Sequence, residues 1–315
     1  MDIKKVGCIG TGLIGQSWAT LFVWKGYDVN IHDLSAKTLE DSLSQIMDNL
    51  DFLAKSGMLE KDLCKKCFNR VNIIENFDEF IEKSDYIQES VYESYKVKKN
   101  VFKSMDEIAR RDTILASSSS TLNMTFIQKV TNRPERCVVA HPWNPPHLMP
   151  LVEIIPGRRT SSECINRTKD FMNKLSRVPI VQKKAIPGTI SNRLAAALWR
   201  EAINLVHKGV VEVEDIDKAV SAGPGIRWAI LGPHISYHLG GGKGGIEYYL
   251  DHLGPAMERR WKSLASWTSI PPLAKSKIIQ GIKDTKIVKE LSIDEIKKIR
   301  DRKLIKLLKI LHTHS

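Results

Sequence analysis

The chain has 315 residues, 42% hydrophobic and 27% charged, an ordinary globular balance that excludes collagen-like, low-complexity and disordered classes. Five cysteines, an odd and sparse count, exclude a disulfide framework, and no apolar run reaches the roughly 18–20 residues of a membrane span. A net charge of +12 suits nucleic acid, a membrane surface or an anionic substrate, but no zinc-finger spacing or aromatic RNA-binding signature accompanies it.

Lys4 and Lys5 precede an apolar stretch that loosely imitates a signal peptide. Four glycines within it would break a helical segment, and no small-residue cleavage pattern follows, so a cytoplasmic location is expected. Residues 6–9 read as a short strand and 13–25 as a helix, with Gly10-Thr11-Gly12-Leu13-Ile14-Gly15 between them. Gly10 permits a tight turn, Gly12 lets the backbone approach a pyrophosphate, and Gly15 lets helix and strand pack closely. The helix N-terminus then faces the phosphates. The next strand, 27–32, ends at Asp33, whose carboxylate can accept hydrogen bonds from the adenosine ribose. That carboxylate would repel a 2′-phosphate, and no Arg follows it closely, so NAD is expected over NADP. Gly10, Gly12, Leu13, Ile14, Gly15 and Asp33 form the expected cofactor-binding set. A plain glycine turn with a capping Asp is the alternative, outweighed by the agreement of strand, glycines, helix, strand and acid in order.

Helices are expected over about 36–68, where Cys64 and Cys67 form a lone C-x-x-C without a second pair to complete a zinc site; no metal is expected. Strands follow at 71–74, 85–88, 113–117, 137–141, 151–155 and 178–181, with a helix at 94–108. This alternation predicts an α/β fold: a Rossmann-type doubly wound sheet with helices on both faces. After Pro187 and Gly188 only helices and loops are found, and Ile190, Leu194, Leu198, Ala202 and Leu205 share one helical face. Two domains are therefore expected: a Rossmann domain over 1–186 and an all-helical domain over 187–315. The basic run between Lys283 and Lys309 alternates with Ile and Leu at helical spacing, the pattern of a solvated amphipathic face. No nucleic-acid or membrane partner is expected.

The chemistry concentrates between Cys137 and Glu153. His141 ends one strand, Glu153 lies within the next, and four prolines stiffen the excursion between them. A reversal there brings Glu153 beside the imidazole. Hydride transfer from a carbinol needs a base for the hydroxyl proton, and histidine suits that role near neutral pH. Either residue alone would read as ordinary. Ser117, Ser118, Ser119 and Ser120 stand at a strand's C-terminal edge, where ligands bind open α/β sheets. Capping of the turn before Leu122 is the other role open to some of them. Asn192 opens the first helix of the second domain, as a polar group toward the cleft or as a helix-surface amide.

The Gly10–Gly15 loop, the His-Pro-x-Asn-Pro-Pro run at His141, Leu-Val-Glu at Glu153, Pro-Gly-Thr-Ile-Ser-Asn-Arg-Leu at 187–194 and Gly-Ile-Arg-Trp at 225–228 together resemble the 3-hydroxyacyl-CoA dehydrogenase superfamily. The resemblance spans nearly the whole chain. Within the superfamily it points to the branch of lambda-crystallin/L-gulonate 3-dehydrogenase and L-carnitine dehydrogenase. It implies an NAD-dependent dehydrogenase with His141 as base, Glu153 as its partner, and Ser120 and Asn192 at the reacting group. It also implies cofactor contacts for Glu93, Lys98 and Asn144, and a homodimer formed through the helical domain. Arg227 matches the arginine of the branch that handles free acids, where a guanidinium grips a carboxylate in two places; a structural ion pair is its other reading. Trp143, Trp199, Trp228 and Tyr237 suit either an aromatic cage for a trimethylammonium group or core packing. The substrate implied is a small free 3-hydroxy acid, carnitine-like or gulonate-like, although the run from Gly240 to Gly245 departs from the lambda-crystallin pattern. A short-chain hydroxyacyl-CoA, and a crystallin-like NAD(H)-binding structural protein, are the alternatives.

Overall fold

A computed structural model describes residues 3–184 and 186–312. The chain divides by its contacts into two units, 1–190 and 191–315.

The first unit is built on one sheet of eight strands: β1 (Lys5–Ile9), β2 (Asp28–His32), β3 (Val71–Ile73), β4 (Tyr86–Glu89), β5 (Ile114–Ser117), β6 (Cys137–Pro142), β7 (Leu151–Pro156) and β8 (Val178–Val181). Their spatial order is β3-β2-β1-β4-β5-β6-β7-β8. Neighbours run parallel except at β6 and β7, which pair antiparallel. Every residue of β4, β5 and β6 is buried, as expected of strands covered on both faces. The chain leaves β1 toward β2 and returns on the other side at β4. That reversal creates a crevice at the carboxyl ends of β1 and β4, where open α/β sheets bind ligands.

Among the described residues, seven α-helices accompany these strands: α1 (Leu13–Trp24), α2 (Ala36–Lys55), α3 (Leu63–Phe68), α4 (Phe77–Glu82), α5 (Tyr95–Ile108), α6 (Met124–Ile127) and α7 (Ser162–Lys174). On one face of the sheet, Phe22 of α1 stacks on Phe171 of α7 with ring centroids 5.7 Å apart, and Phe171 meets Tyr86 of β4 at 4.7 Å. A second cluster joins Phe80, Ile81, Phe102, Met105, Met124 and Ile127 of α4, α5 and α6 to Ile87, Leu115 and Val139 of the sheet. The eight expected strands are all present, and β3 stops one residue earlier than the sequence pattern suggests.

The second unit is helical: α8 (Ile190–His207, its first residue in the first unit), α9 (Val213–Ala222), α10 (Pro224–Gly240), α11 (Gly245–Trp261), α12 (Pro272–Asp284), α13 (Lys286–Glu290) and α14 (Ile293–His312). Its core is thin. Ile203 and Val206 of α8, Val213 of α9, Ala274 of α12, and Ile305 and Leu308 of α14 are buried, whereas α10 buries no residue. Gly232, at φ +71°, interrupts α10 before Pro233. The glycine run forms the α10–α11 reversal: a Cβ on Gly241 would lie 1.8 Å from the Gly245 carbonyl oxygen, and Gly245 sits at φ +60°. The basic C-terminal run forms ion pairs along α12–α14, among them Lys289–Asp284 at 3.2 Å and Lys297–Asp294 at 3.0 Å. No helix among the described residues is long and apolar enough to cross a membrane.

Candidate active site

The glycine loop forms a cradle between β1 and α1. Gly10, at φ +80°, donates its amide to the His32 carbonyl at 3.0 Å. A Cβ on Gly10 would strike the Ser90 backbone at 2.7 Å, and one on Gly15 would lie 1.8 Å from the Gly10 carbonyl oxygen. A Cβ on Gly12 would meet nothing within 4 Å. No side chain caps the N-terminus of α1 and no acidic residue stands in its first turn, so its amides remain suited to an anion. Leu13 is exposed and Ile14 half-buried at the same end. Asp33 Oδ2 accepts from the Thr11 amide at 2.8 Å and from Thr11 Oγ1 at 3.3 Å, which fixes the carboxylate at the end of β2. A tight turn, open space at Gly12, unpaired helix amides and an anchored acid suit a dinucleotide.

On the other side of the crevice, antiparallel pairing sets His141 opposite Glu153. His141 Nδ1 lies 3.0 Å from Glu153 Oε2, with Glu153 fully buried and His141 nearly so. A carboxylate on Nδ1 selects the tautomer that leaves Nε2 as an acceptor. Nε2 has no hydrogen-bond partner among the described residues. The intervening excursion is braced by groups the sequence reading did not single out. Ser17 Oγ of α1 lies 2.7 Å from His147 Nδ1 and accepts the His147 amide at 3.1 Å. The buried Arg177 guanidinium donates to the Pro146 and Met149 carbonyls at 3.3 and 3.2 Å. Asn144 stands exposed on this braced excursion.

The four serines after β5 separate by their hydroxyl partners. Ser117 Oγ donates to Glu89 at 2.6 Å. Ser118 Oγ holds Gln88, Ser90 and Trp18 at 2.7, 2.9 and 3.2 Å. Ser119 Oγ donates to Glu93 at 2.6 Å and accepts the Leu122 amide at 2.9 Å, so this serine takes the capping role. The Ser120 hydroxyl makes no hydrogen bond among the described residues, and Ser120 lines a cavity of about 270 Å³ with Tyr95, Leu122, Phe126 and Ile155. Glu93 Oε1 also accepts the Ser120 and Thr121 amides, each at 3.1 Å. Burial would raise the Glu93 carboxyl; hydrogen bonds from Ser119 and Thr121 and the charge of Lys98 outweigh it and hold the group below its ordinary value. Lys98 is buried, its ammonium 2.6 Å from Glu89. Any influence of Lys98 on a ligand in the crevice therefore runs through these carboxylates. Glu89 escaped the sequence reading; its signal was an acid closing the apolar strand Tyr-Ile-Gln-Glu.

Asn192 and Arg227 lie in the second unit. Asn192, in the first turn of α8, is half-buried and already engaged with a neighbour. Arg227, on α10, is exposed and has no ion-pair partner among the described residues. Of the aromatics, Trp199 is 60% exposed and Tyr237 packs on Tyr249 at 5.2 Å. Core packing therefore does not describe Trp199. Among the described residues, no three His, Cys, Asp or Glu side chains gather into a metal site.

Two family models cover most of the chain: 3-hydroxyacyl-CoA dehydrogenase, NAD binding domain, over residues 5–185, and 3-hydroxyacyl-CoA dehydrogenase, C-terminal domain, over 188–274. The chain belongs to the 3-hydroxyacyl-CoA dehydrogenase family. Among curated members, it is 36% identical over 312 residues to L-carnitine dehydrogenase of Oceanobacillus iheyensis, covering 99% of each chain. L-Carnitine dehydrogenase of Bacillus cereus is 36% identical over 317 residues, covering 99% of this chain and 94% of the relative. Among solved structures, 5-formyl-3-hydroxy-2-methylpyridine 4-carboxylic acid 5-dehydrogenase, an NAD+-dependent dismutase, aligns with a TM-score of 0.80 at 27% identity over 99% of both chains. Escherichia coli 3-hydroxybutyryl-CoA dehydrogenase shares the fold, with a TM-score of 0.69 at 23% identity over 89% of this chain and 57% of the other.

Family membership makes this chain an NAD-dependent hydroxyacyl or hydroxy acid dehydrogenase. The glycine cradle, Asp33, the serine loop and the His141–Glu153 pair all fall within the segment matched by the family's NAD-binding domain. Asn192 and Arg227 fall within the segment matched by its C-terminal domain.

Proposed function

We propose that the chain oxidises the 3-hydroxyl of a small free hydroxy acid of carnitine type, with His141 as the base. The observation that carries the reaction is the imidazole itself, locked by Glu153 through Nδ1 at 3.0 Å and leaving Nε2 unpartnered. Bound NAD would supply the hydride acceptor for the carbinol carbon. His141 Nε2 takes the hydroxyl proton, and the buried Glu153 carboxylate stabilises the resulting imidazolium. Ser120 offers the free hydroxyl of its loop to the substrate oxygen, and Asn192 is assigned to the same oxygen. The amides of Leu13 and Ile14, with Gly10, Gly12 and Gly15, would hold the pyrophosphate, and Asp33 the ribose. Glu93 and Asn144 are assigned to the nicotinamide end, with Lys98 acting through Glu93.

Two observations support a free acid over a CoA ester. Arg227 has no carboxylate partner among the described residues, so its guanidinium is available to grip a substrate carboxylate. Two relatives 36% identical over nearly the whole chain are named for carnitine, a free acid with a hydroxyl at the 3-position. We propose further that the 191–315 unit joins a second copy of the chain.

The test is NADH formation at 340 nm with L-carnitine, L-gulonate, both enantiomers of 3-hydroxybutyrate, and 3-hydroxybutyryl-CoA, each with NAD and NADP. Turnover of a free acid with NAD is expected. Arg227→Ala should raise KM at least about tenfold, the loss of ~1.4 kcal/mol of binding. His141→Asn should cut kcat by about 100-fold or more and leave NADH binding near wild type. Turnover of the CoA ester alone would sink the free-acid reading, and loss of NADH binding in His141→Asn would sink the assignment of roles.

A further inference from the structure

Glu89 takes no part in the chemistry proposed above, yet it is a fully buried carboxylate at the end of β4. Its two oxygens serve different partners. Oε2 accepts from Ser117 Oγ at 2.6 Å. Oε1 accepts from Lys98 Nζ at 2.6 Å and from the Val91 amide at 2.7 Å. The Lys98 ammonium also lies 3.3 Å from Glu93 Oε2. Glu93 Oε1, turned the other way, accepts from Ser119 Oγ at 2.6 Å. The Ser119 amide donates to Ser117 Oγ at 3.2 Å. These contacts close a ring: Glu89, Ser117, Ser119, Glu93, Lys98 and back to Glu89.

The ring contains one cation and two carboxylates, with four of its five members almost wholly buried. Burial pushes the Glu89 carboxyl above its ordinary value, against the Lys98 charge and the bonds from Ser117 and the Val91 amide. A buried ion pair is weak evidence for stability, because desolvation offsets much of its attraction. What this pair does is geometric. Glu89 and the Val91 carbonyl, at 3.2 Å, fix the Lys98 ammonium. Lys98 in turn fixes one oxygen of Glu93 and leaves the other toward three consecutive residues of the serine loop. Without the Glu89 charge, the ammonium would be drawn to Glu93 alone, and that carboxylate would turn from the loop.

We propose that Glu89 is a positioning residue: through Lys98 and Ser117 it sets the Glu93 carboxylate and the 117–121 loop, and so presents the Ser120 hydroxyl. The loop-ordering part stands on the ring itself. Its consequence for turnover rests on the reading of Ser120 given above.

The test compares amide hydrogen exchange over residues 118–122 in wild type, Glu89→Gln and Ser117→Ala, all without cofactor. Glu89→Gln keeps the shape and removes the charge; Ser117→Ala opens the ring on its other side and introduces no buried charge. Exchange in the loop should be at least about tenfold faster in both, the scale of one lost charge-assisted hydrogen bond, with β1 and β6 unchanged. With a turned-over substrate, kcat should fall about tenfold or more. Loop exchange equal to wild type in the folded variants would overturn the proposal, even if their melting temperatures fall, because burial alone would then explain Glu89. Should Glu89→Gln fail to fold, Ser117→Ala decides the matter. Faster exchange with unchanged kcat would uphold the positioning of the loop and remove Ser120 from the chemistry.

Discussion

Gly12 and Gly15 stand three residues apart on one loop and answer to different neighbours. A Cβ on Gly15 would collide with the Gly10 carbonyl oxygen at 1.8 Å, backbone against backbone. A Cβ on Gly12 meets no protein atom within 4 Å, and its φ of −62° suits any residue. Gly15→Ala should therefore destabilise the fold by about 1–3 kcal/mol or more, as overpacking does. Gly12→Ala should stay within about 1 kcal/mol of wild type, the scale of a weakened helix cap. It should nonetheless lose at least about tenfold in NADH affinity, ~1.4 kcal/mol, because the added methyl occupies the space a pyrophosphate would fill. Urea melts and NADH fluorescence titrations separate the two effects; equal loss of stability in both variants would refute the division. The residues that read most clearly from sequence were those in compact patterns. The glycine loop and the His141 and Glu153 positions lie within short spans, and antiparallel pairing turned the latter spacing into contact. Glu89, Ser17, His147 and Arg177 act across long separations, such as the 130 residues between Ser17 and His147. No local pattern marks such partners, and only the topology reveals them.

At the scale of elements, the sheet was legible because its central strands are apolar runs buried on both faces and all its strands are set between helical patterns. What the pattern could not show is how strand starts are tied together. Asp85, just before β4, accepts the Lys4 and Lys5 amides at 2.9 and 2.8 Å, where β1 begins, and pairs with Arg110 beyond α5. Its own carbonyl accepts the Ile114 amide at the start of β5, at 3.2 Å. Burial would raise the Asp85 carboxyl, but the two amides and the guanidinium overcome it and hold the group below its ordinary value. A depressed carboxyl stabilises the folded state above its unfolded pKa and loses that contribution as pH falls through its folded value. Asp85→Asn should cost about 1–2 kcal/mol near neutral pH, discounted for partial exposure. The gap to wild type should close on acidification below the folded pKa of Asp85. Urea midpoints across that range test it, and a gap that stayed constant into acid would show the charge to be irrelevant.

At the scale of the whole molecule, the apolar periodicity that marked α8 as amphipathic did not reveal what its apolar face packs against. Leu194, Leu198 and Trp199 of α8 are 62%, 43% and 60% exposed in the single chain. On α10, Ile226, Ile230, Leu231, Ile235 and Leu239 are between 46% and 62% exposed, and nothing on that helix is buried. Apolar exposure on this scale is the pattern expected of an interaction surface. A second copy of the chain suits α10 in particular. Arg227 is its one Lys, Arg, Asp or Glu, in a chain with a net charge of +12, so two such helices can meet about a twofold axis with little like-charge repulsion. Light scattering should therefore give about twice the 35.6 kDa chain mass. The melting temperature should rise with protein concentration, because association stabilises only the folded chain. Ile230→Glu places a charge within the apolar row. It should yield the single-chain mass and a melting temperature that is lower and independent of concentration. A single-chain mass for the wild type at every concentration, with concentration-independent melting, would remove the second copy and leave these faces for another partner. An Ile230→Glu variant that still doubled its mass would keep the dimer and move its contact away from α10.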